Sequence, residues 1–120
     1  MKKIGLIGGI GPESTIEYYR QIIKRFQQKL NTKDYPELII NSIKMTEMLG
    51  YVFNNQLDKL VDFLAFRIEV LEKSGAEFAA IASNTPHIVF DRLAERVNVS
   101  MISIVEEASK EIQRKKREAQ

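Results

Sequence analysis

Four short apolar runs divide this chain, and helical spacing follows each of them; that alternation constrains the fold more than any total does. Ile4-Gly5-Leu6-Ile7 is apolar throughout and stops at glycines, the pattern of a strand covered on both faces. Pro12 opens a helical pattern in which Ile16, Tyr19, Ile22, Ile23 and Phe26 recur at three- and four-residue spacing. Asn31 to Pro36 read as a loop, and Glu37 to Ile43 as a second strand. A long helix is expected from about Asn55 to Lys73, with Leu57, Leu60, Val61, Leu64, Ile68 and Leu71 on one stripe. Ser74-Gly75 ends it, glycine being favoured in the left-handed position after a helix. Phe78 to Ala82 form a third strand, Ile88 to Arg96 a short helix and Val99 to Ile104 a fourth strand. From Val105 the pattern is helical again (Val105, Ala108, Ile112) and grows polar toward Gln120.

Strands alternating with helices through short links imply an α/β fold: one parallel sheet of about four strands, right-handed crossovers and helices on both faces. The 120 residues have room for one such domain, assigned here to 1–104, with 105–120 as a helical tail. In such sheets ligands bind beyond the carboxyl ends of the strands, where strand order reverses. A first strand flanked by the second and third puts that reversal between strands one and three.

Composition removes several classes. Lys and Arg total 18 against 16 acids, and a net charge of +2 makes no electrostatic case for nucleic acid. With no cysteine there is neither a disulfide nor a thiolate metal site, and a single histidine, His87, argues against a zinc site built by this chain. The apolar stretch behind Met1-Lys2-Lys3 is short and broken by glycines, so neither a signal peptide nor a membrane span is expected, and the default compartment is the cytoplasm.

Two loops carry the chemistry. In Gly8-Gly9-Ile10-Gly11-Pro12-Glu13-Ser14-Thr15, glycines let backbone approach a ligand closely, and Pro12 suits a first helical position. Three readings remain: a glycine-rich turn with no ligand, a dinucleotide fingerprint, or a small carboxylate or phosphate at the helix start. Ser14 stands where the fingerprint needs its third glycine, and Lys44 rather than an acid follows strand two, so the small anion is preferred. Ser83-Asn84-Thr85-Pro86-His87 repeats the grammar, with Thr85 as a cap before Pro86. Alone it reads equally as capping; two such loops at one switch point favour a site.

Together these residues resemble a known family. Ile4 to Ile16 with Tyr18-Tyr19, then Gly75-Ala76, Asn84-Thr85-Pro86-His87 and Ile102-Ser103-Ile104-Val105-Glu106 resemble, in order, the landmarks of aspartate/glutamate racemases. The resemblance implies a Rossmann- or flavodoxin-like half of a two-domain, cofactor-independent racemase, here the N-terminal domain, with residues 105–120 leading toward a second domain. It further implies a dicarboxylic amino-acid substrate and one catalytic thiol per domain, placed on opposite faces of the substrate Cα. Asn84 and Thr85 would then bind the substrate carboxylate with Gly9, and Lys44 would read the distal carboxylate.

Two departures follow. Ser83 occupies the position of the first thiol, and a serine hydroxyl is a far poorer acid than a thiol titrating near about 8.5. His87 is the one nearby group that titrates near neutrality, and one turn into its helix it reads as capping or packing. The chain also stops where the family continues, so a homodimer is expected to supply a missing wall, with weak or no activity from the chain alone. The other expectation is a module that binds a small anion or amino acid without turning it over.

Overall fold

The computed structural model describes residues 3–83 and 89–102. Eight elements follow in the order β1 (Ile4–Gly8), α1 (Pro12–Leu30), β2 (Leu38–Ser42), α2 (Met45–Phe53), α3 (Leu57–Lys73), β3 (Phe78–Ile81), α4 (Phe90–Arg96) and β4 (Ser100–Ile102). The four strands form one parallel sheet in the order β2-β1-β3-β4. Ile4 pairs with both Leu38 and Phe78, which makes β1 an inner strand, and all five of its residues are buried. The expected α/β architecture, strand number and switch between β1 and β3 are present. The rest of the expected fourth strand (103–104), the tail 105–120 and the start of the short helix at Ile88 lie outside the described residues.

Side chains alternate across this sheet with period two. Ile7, Ala79 and Ile81 point to one side, where α2, α3 and α4 close a continuous core with Met48, Leu60, Leu64, Ile68, Leu71 and Leu93. Leu6, Ala80 and Ala82 point to the other, where Tyr18 of α1, Leu38 and Ile102 cover them. The topology explains the asymmetry. The β1–α1–β2 crossover moves one way across the sheet and the two later crossovers move the other, so right-handedness places α1 apart from α3 and α4. Among the described residues α1 is the helix on that side, and it has no fully buried residue. The stripe expected for α1 is therefore helical but incompletely covered: Ile22, Ile23 and Phe26 are half-buried, while Ile16 stays 56% exposed.

Helix α2 departs from the expectation of one helix after strand two. Met45, Met48, Leu49 and Val52 have helical spacing, and Met48 is fully buried. The break before α3 comes from Asn55, which takes a left-handed φ of 53°, so α3 begins at Leu57 rather than Asn55. At its other end Gly75 has φ 106°, the left-handed residue expected there. Asp58 and Asp62 of α3 pair with Arg92 and Arg96 of α4, a two-rung ladder at matching four-residue spacing.

Candidate active-site edge

The carboxyl ends of β1, β2 and β3 are held level by backbone bonds that continue the ladder past each strand. Ile43 N–H donates to Gly8 O at 2.9 Å, and Ala82 N–H donates to Ile7 O at 2.9 Å. One residue further along each chain stand Gly9, Lys44 and Ser83. The structure therefore gathers three of the expected site residues at one edge, from three adjacent strands. Asn84, Thr85 and His87 lie outside the described residues.

Gly9 is fixed by its surroundings. Its φ is 89°, and a Cβ there would stand 2.6 Å from Ser42 Oγ and 2.8 Å from Ile43 O, so only glycine fits between β2 and the turn. Its amide donates to Thr15 Oγ1 at 2.9 Å. Thr15, which the sequence reading left without a role, thus ties the turn to the first turn of α1. Gly11 caps α1 in an extended conformation (φ −69°, ψ 165°) without a side-chain capping bond, and Pro12 follows at the helix start. Gly11 O accepts from Ser14 N–H at 3.2 Å. What remains for an anion is the amides ahead of the helix and the positive end of its dipole. Glu13 sits in that first turn and adds a negative charge beside it.

Lys44 is exposed at the N-cap of α2, its carbonyl accepting from Met48 N–H at 3.3 Å. Its side chain makes no ion pair among the described residues, so its ammonium is available to a ligand arriving over the edge. Ser83 is half-buried where β3 gives way to the second loop. Asn41, one residue before the end of β2, holds a buried Oδ1 with no hydrogen-bond partner among the described residues. Sequence reasoning did not mark it, because an asparagine late in an edge strand looks like a turn residue. Among the described residues no three His, Asp or Glu side chains converge to hold a metal ion. None of the described helices is long and apolar enough to cross a membrane.

A hollow of about 400 Å³ lies elsewhere, between the outer sides of α2 and α3, lined by Glu47, Tyr51, Lys59, Phe63 and Arg67 among others. It shares no residue with the edge just described.

A level row of strand ends stands beside a glycine turn at the point where the strand order reverses, the place where parallel α/β units in general bind their ligands. The chain belongs to the Asp/Glu/hydantoin racemase family, whose model matches residues 7–119. It is 32% identical over 113 residues to the broad specificity amino-acid racemase RacX of Bacillus subtilis (strain 168), which covers 91% of this chain and 48% of the relative. PH1733, an aspartate racemase homologue from Pyrococcus horikoshii OT3, superposes with a TM-score of 0.84 at 42% identity, over 96% of this chain and 50% of that one. The Picrophilus torridus aspartate racemase shares the fold, with a TM-score of 0.70 at 18% identity over 95% of this chain and 75% of that one. The chain thus spans about half the length of RacX and of PH1733.

Proposed function

We propose that this chain forms one half-site of a cofactor-independent amino-acid racemase and grips a dicarboxylic amino acid at the edge where Gly9, Lys44 and Ser83 meet. The observation that carries the reading is the convergence of those three residues, on adjacent strand ends, in a chain matched by the racemase family model over residues 7–119. Lys44 supplies a cation for the distal carboxylate, and the start of α1, beside the glycine turn, supplies the positive end of a helix dipole for the α-carboxylate. Asn84 and Thr85 complete the carboxylate grip in this reading.

Racemisation needs a base on one face of Cα and an acid on the other, because the Cα–H is too weakly acidic to ionise without both. Ser83 stands where a thiol is expected and cannot act as that base near neutral pH, and the sequence contains no cysteine at all. The chain alone therefore binds and orients substrate but turns it over weakly or not at all. In this reading both proton-transfer groups, and the second wall of the cleft, come from outside residues 1–120. Two copies associate, and the protein works in the cytoplasm without pyridoxal phosphate. The lack of any thiol also favours a second reading, a module that binds the amino acid and never turns it over.

Two measurements on one sample test this. Titration calorimetry with L-aspartate and L-glutamate should show saturable binding that Lys44→Ala weakens. NMR in D2O should show loss of the α-proton signal slowly or not at all. Absence of any binding heat removes both readings; binding accompanied by fast exchange in the wild-type chain removes the assignment of Ser83 as a non-basic residue.

A further inference from the structure

One group at the carboxyl edge runs against a site for a plain anion. Glu13 stands in the first turn of α1, beside the positive helix end assigned above to the α-carboxylate. Its carboxylate turns back over the glycine turn: a Cβ placed on Gly11 would stand 3.5 Å from Glu13 Oε2. Gly11 follows Gly9 in that turn, and Gly9 is packed against Ser42 and Ile43 at the end of β2. The acid is thus exposed on the segment that borders the row of strand ends.

An acid in the first turn commonly answers the helix dipole and accepts from the first free amides. The second task is largely taken here. Pro12 has no N–H, and the N–H groups of Ser14 and Thr15 donate to Gly11 O at 3.2 and 3.5 Å. Two of the amides that such an acid would serve already have a carbonyl partner.

The shape of an α-amino acid gives the charge another use. Its ammonium and α-carboxylate are carried by the same carbon, so a group that reads one stands next to a group that reads the other. The distal carboxylate lies farther along the side chain. The edge has the same order: Lys44 after β2, the start of α1 at the glycine turn, and Glu13 within that start. We propose that Glu13 determines specificity at this edge by accepting from the substrate's α-ammonium, so that amino acids are bound in preference to dicarboxylic acids without the amino group. A carboxylate forms a charge-assisted hydrogen bond with an ammonium and repels a ligand that carries carboxylates alone. The assignment rests on the dicarboxylic amino-acid site proposed above and adds the contact that separates an amino acid from its deaminated analogue.

Titration calorimetry with L-aspartate and with succinate, which lacks only the amino group, tests it on the 120-residue chain. The wild type is expected to bind L-aspartate more tightly than succinate. Glu13→Gln keeps the size and removes the charge, and should weaken L-aspartate on the order of fivefold while succinate binds equally or more tightly. Without the contact, removing a negative charge would tighten both ligands, so weakened L-aspartate binding is the deciding result. Glu17→Gln, one turn along α1 and paired with Arg20, should weaken neither. Circular dichroism checks each fold; should Glu13→Gln lose helical signal, Glu13→Ala is measured instead. A wild type that prefers succinate, or L-aspartate bound undiminished by the Glu13 variant, overturns the assignment and leaves the dicarboxylate grip standing. No heat with either ligand overturns it together with the function proposed above.

Discussion

The amide of Gly9 donates to the hydroxyl of Thr15 at 2.9 Å, closing the glycine turn onto the first turn of α1. The donor that the sequence offers to a ligand is thus already engaged in holding the turn. Thr15→Val keeps the shape and removes the acceptor, and should cost about 1 kcal/mol in urea unfolding. Thr15→Ser should cost less, since it keeps the oxygen.

Gly9→Ala is the harsher change at the same turn. The left-handed φ of 89° and the contact with Ile43 O cannot both be relieved, because one is the residue's own backbone and the other a strand end. The expected loss is about 1–3 kcal/mol, read as a fall in the unfolding midpoint. Removing the Ser42 hydroxyl should not rescue it, as the carbonyl remains.

Ser83→Cys restores a thiol at the end of β3. A single base removes the α-proton and returns a deuteron on the same face, so NMR in D2O should show exchange while the optical rotation stays unchanged. General-base action of this kind is worth on the order of 10²-fold or more over the serine chain. Exchange no faster than in the wild type would separate Ser83 from the chemistry.

The two sides of the sheet should respond very differently to truncation. Leu64 is fully buried beneath α3, and Leu64→Ala should cost about 2–5 kcal/mol. Ile16 on α1 is 56% exposed, and Ile16→Ala should stay within about 0.5 kcal/mol. Chemical denaturation of both variants checks the contrast.

Tyr18 covers Leu6 and Ala80, and burial pushes its hydroxyl above the ordinary 10.0. Below pH 10 the ring is neutral whether the chain is folded or not. As pH rises past 10 the unfolded chain ionises first, so stability falls through that range and on through the folded value. Tyr18→Phe should flatten this alkaline loss, measured as melting temperature against pH.

Much of the architecture was legible because β1 and α3 are internally consistent. Ile4 to Ile7 is apolar at every non-glycine position, as an inner strand must be, and the stripe from Leu60 to Leu71 matches the core it enters. Helix α2 was missed because Lys44 to Asn55 mixes its apolar residues with polar ones and lacks a capping side chain, and because the left-handed turn at Asn55 carries no strong sequence signal. At the site, Gly9 and Lys44 could be read as ligand donors from residue type. The bond from Gly9 to Thr15 could not, since it depends on how α1 is seated against β1.

The pairing of Ile4 with Phe78 has a consequence for synthesis. β1 is made before both of its neighbours, and the second of them follows only after α1, β2, α2 and α3. Until then a strand whose five residues are all buried in the finished fold has an open edge, in a topology whose long-range pairing is slow to form. Newly made chains should therefore pass through an interval in which β1 can pair with the wrong partner, and a chaperone that masks Ile4 to Gly8 would shorten the route to the native sheet.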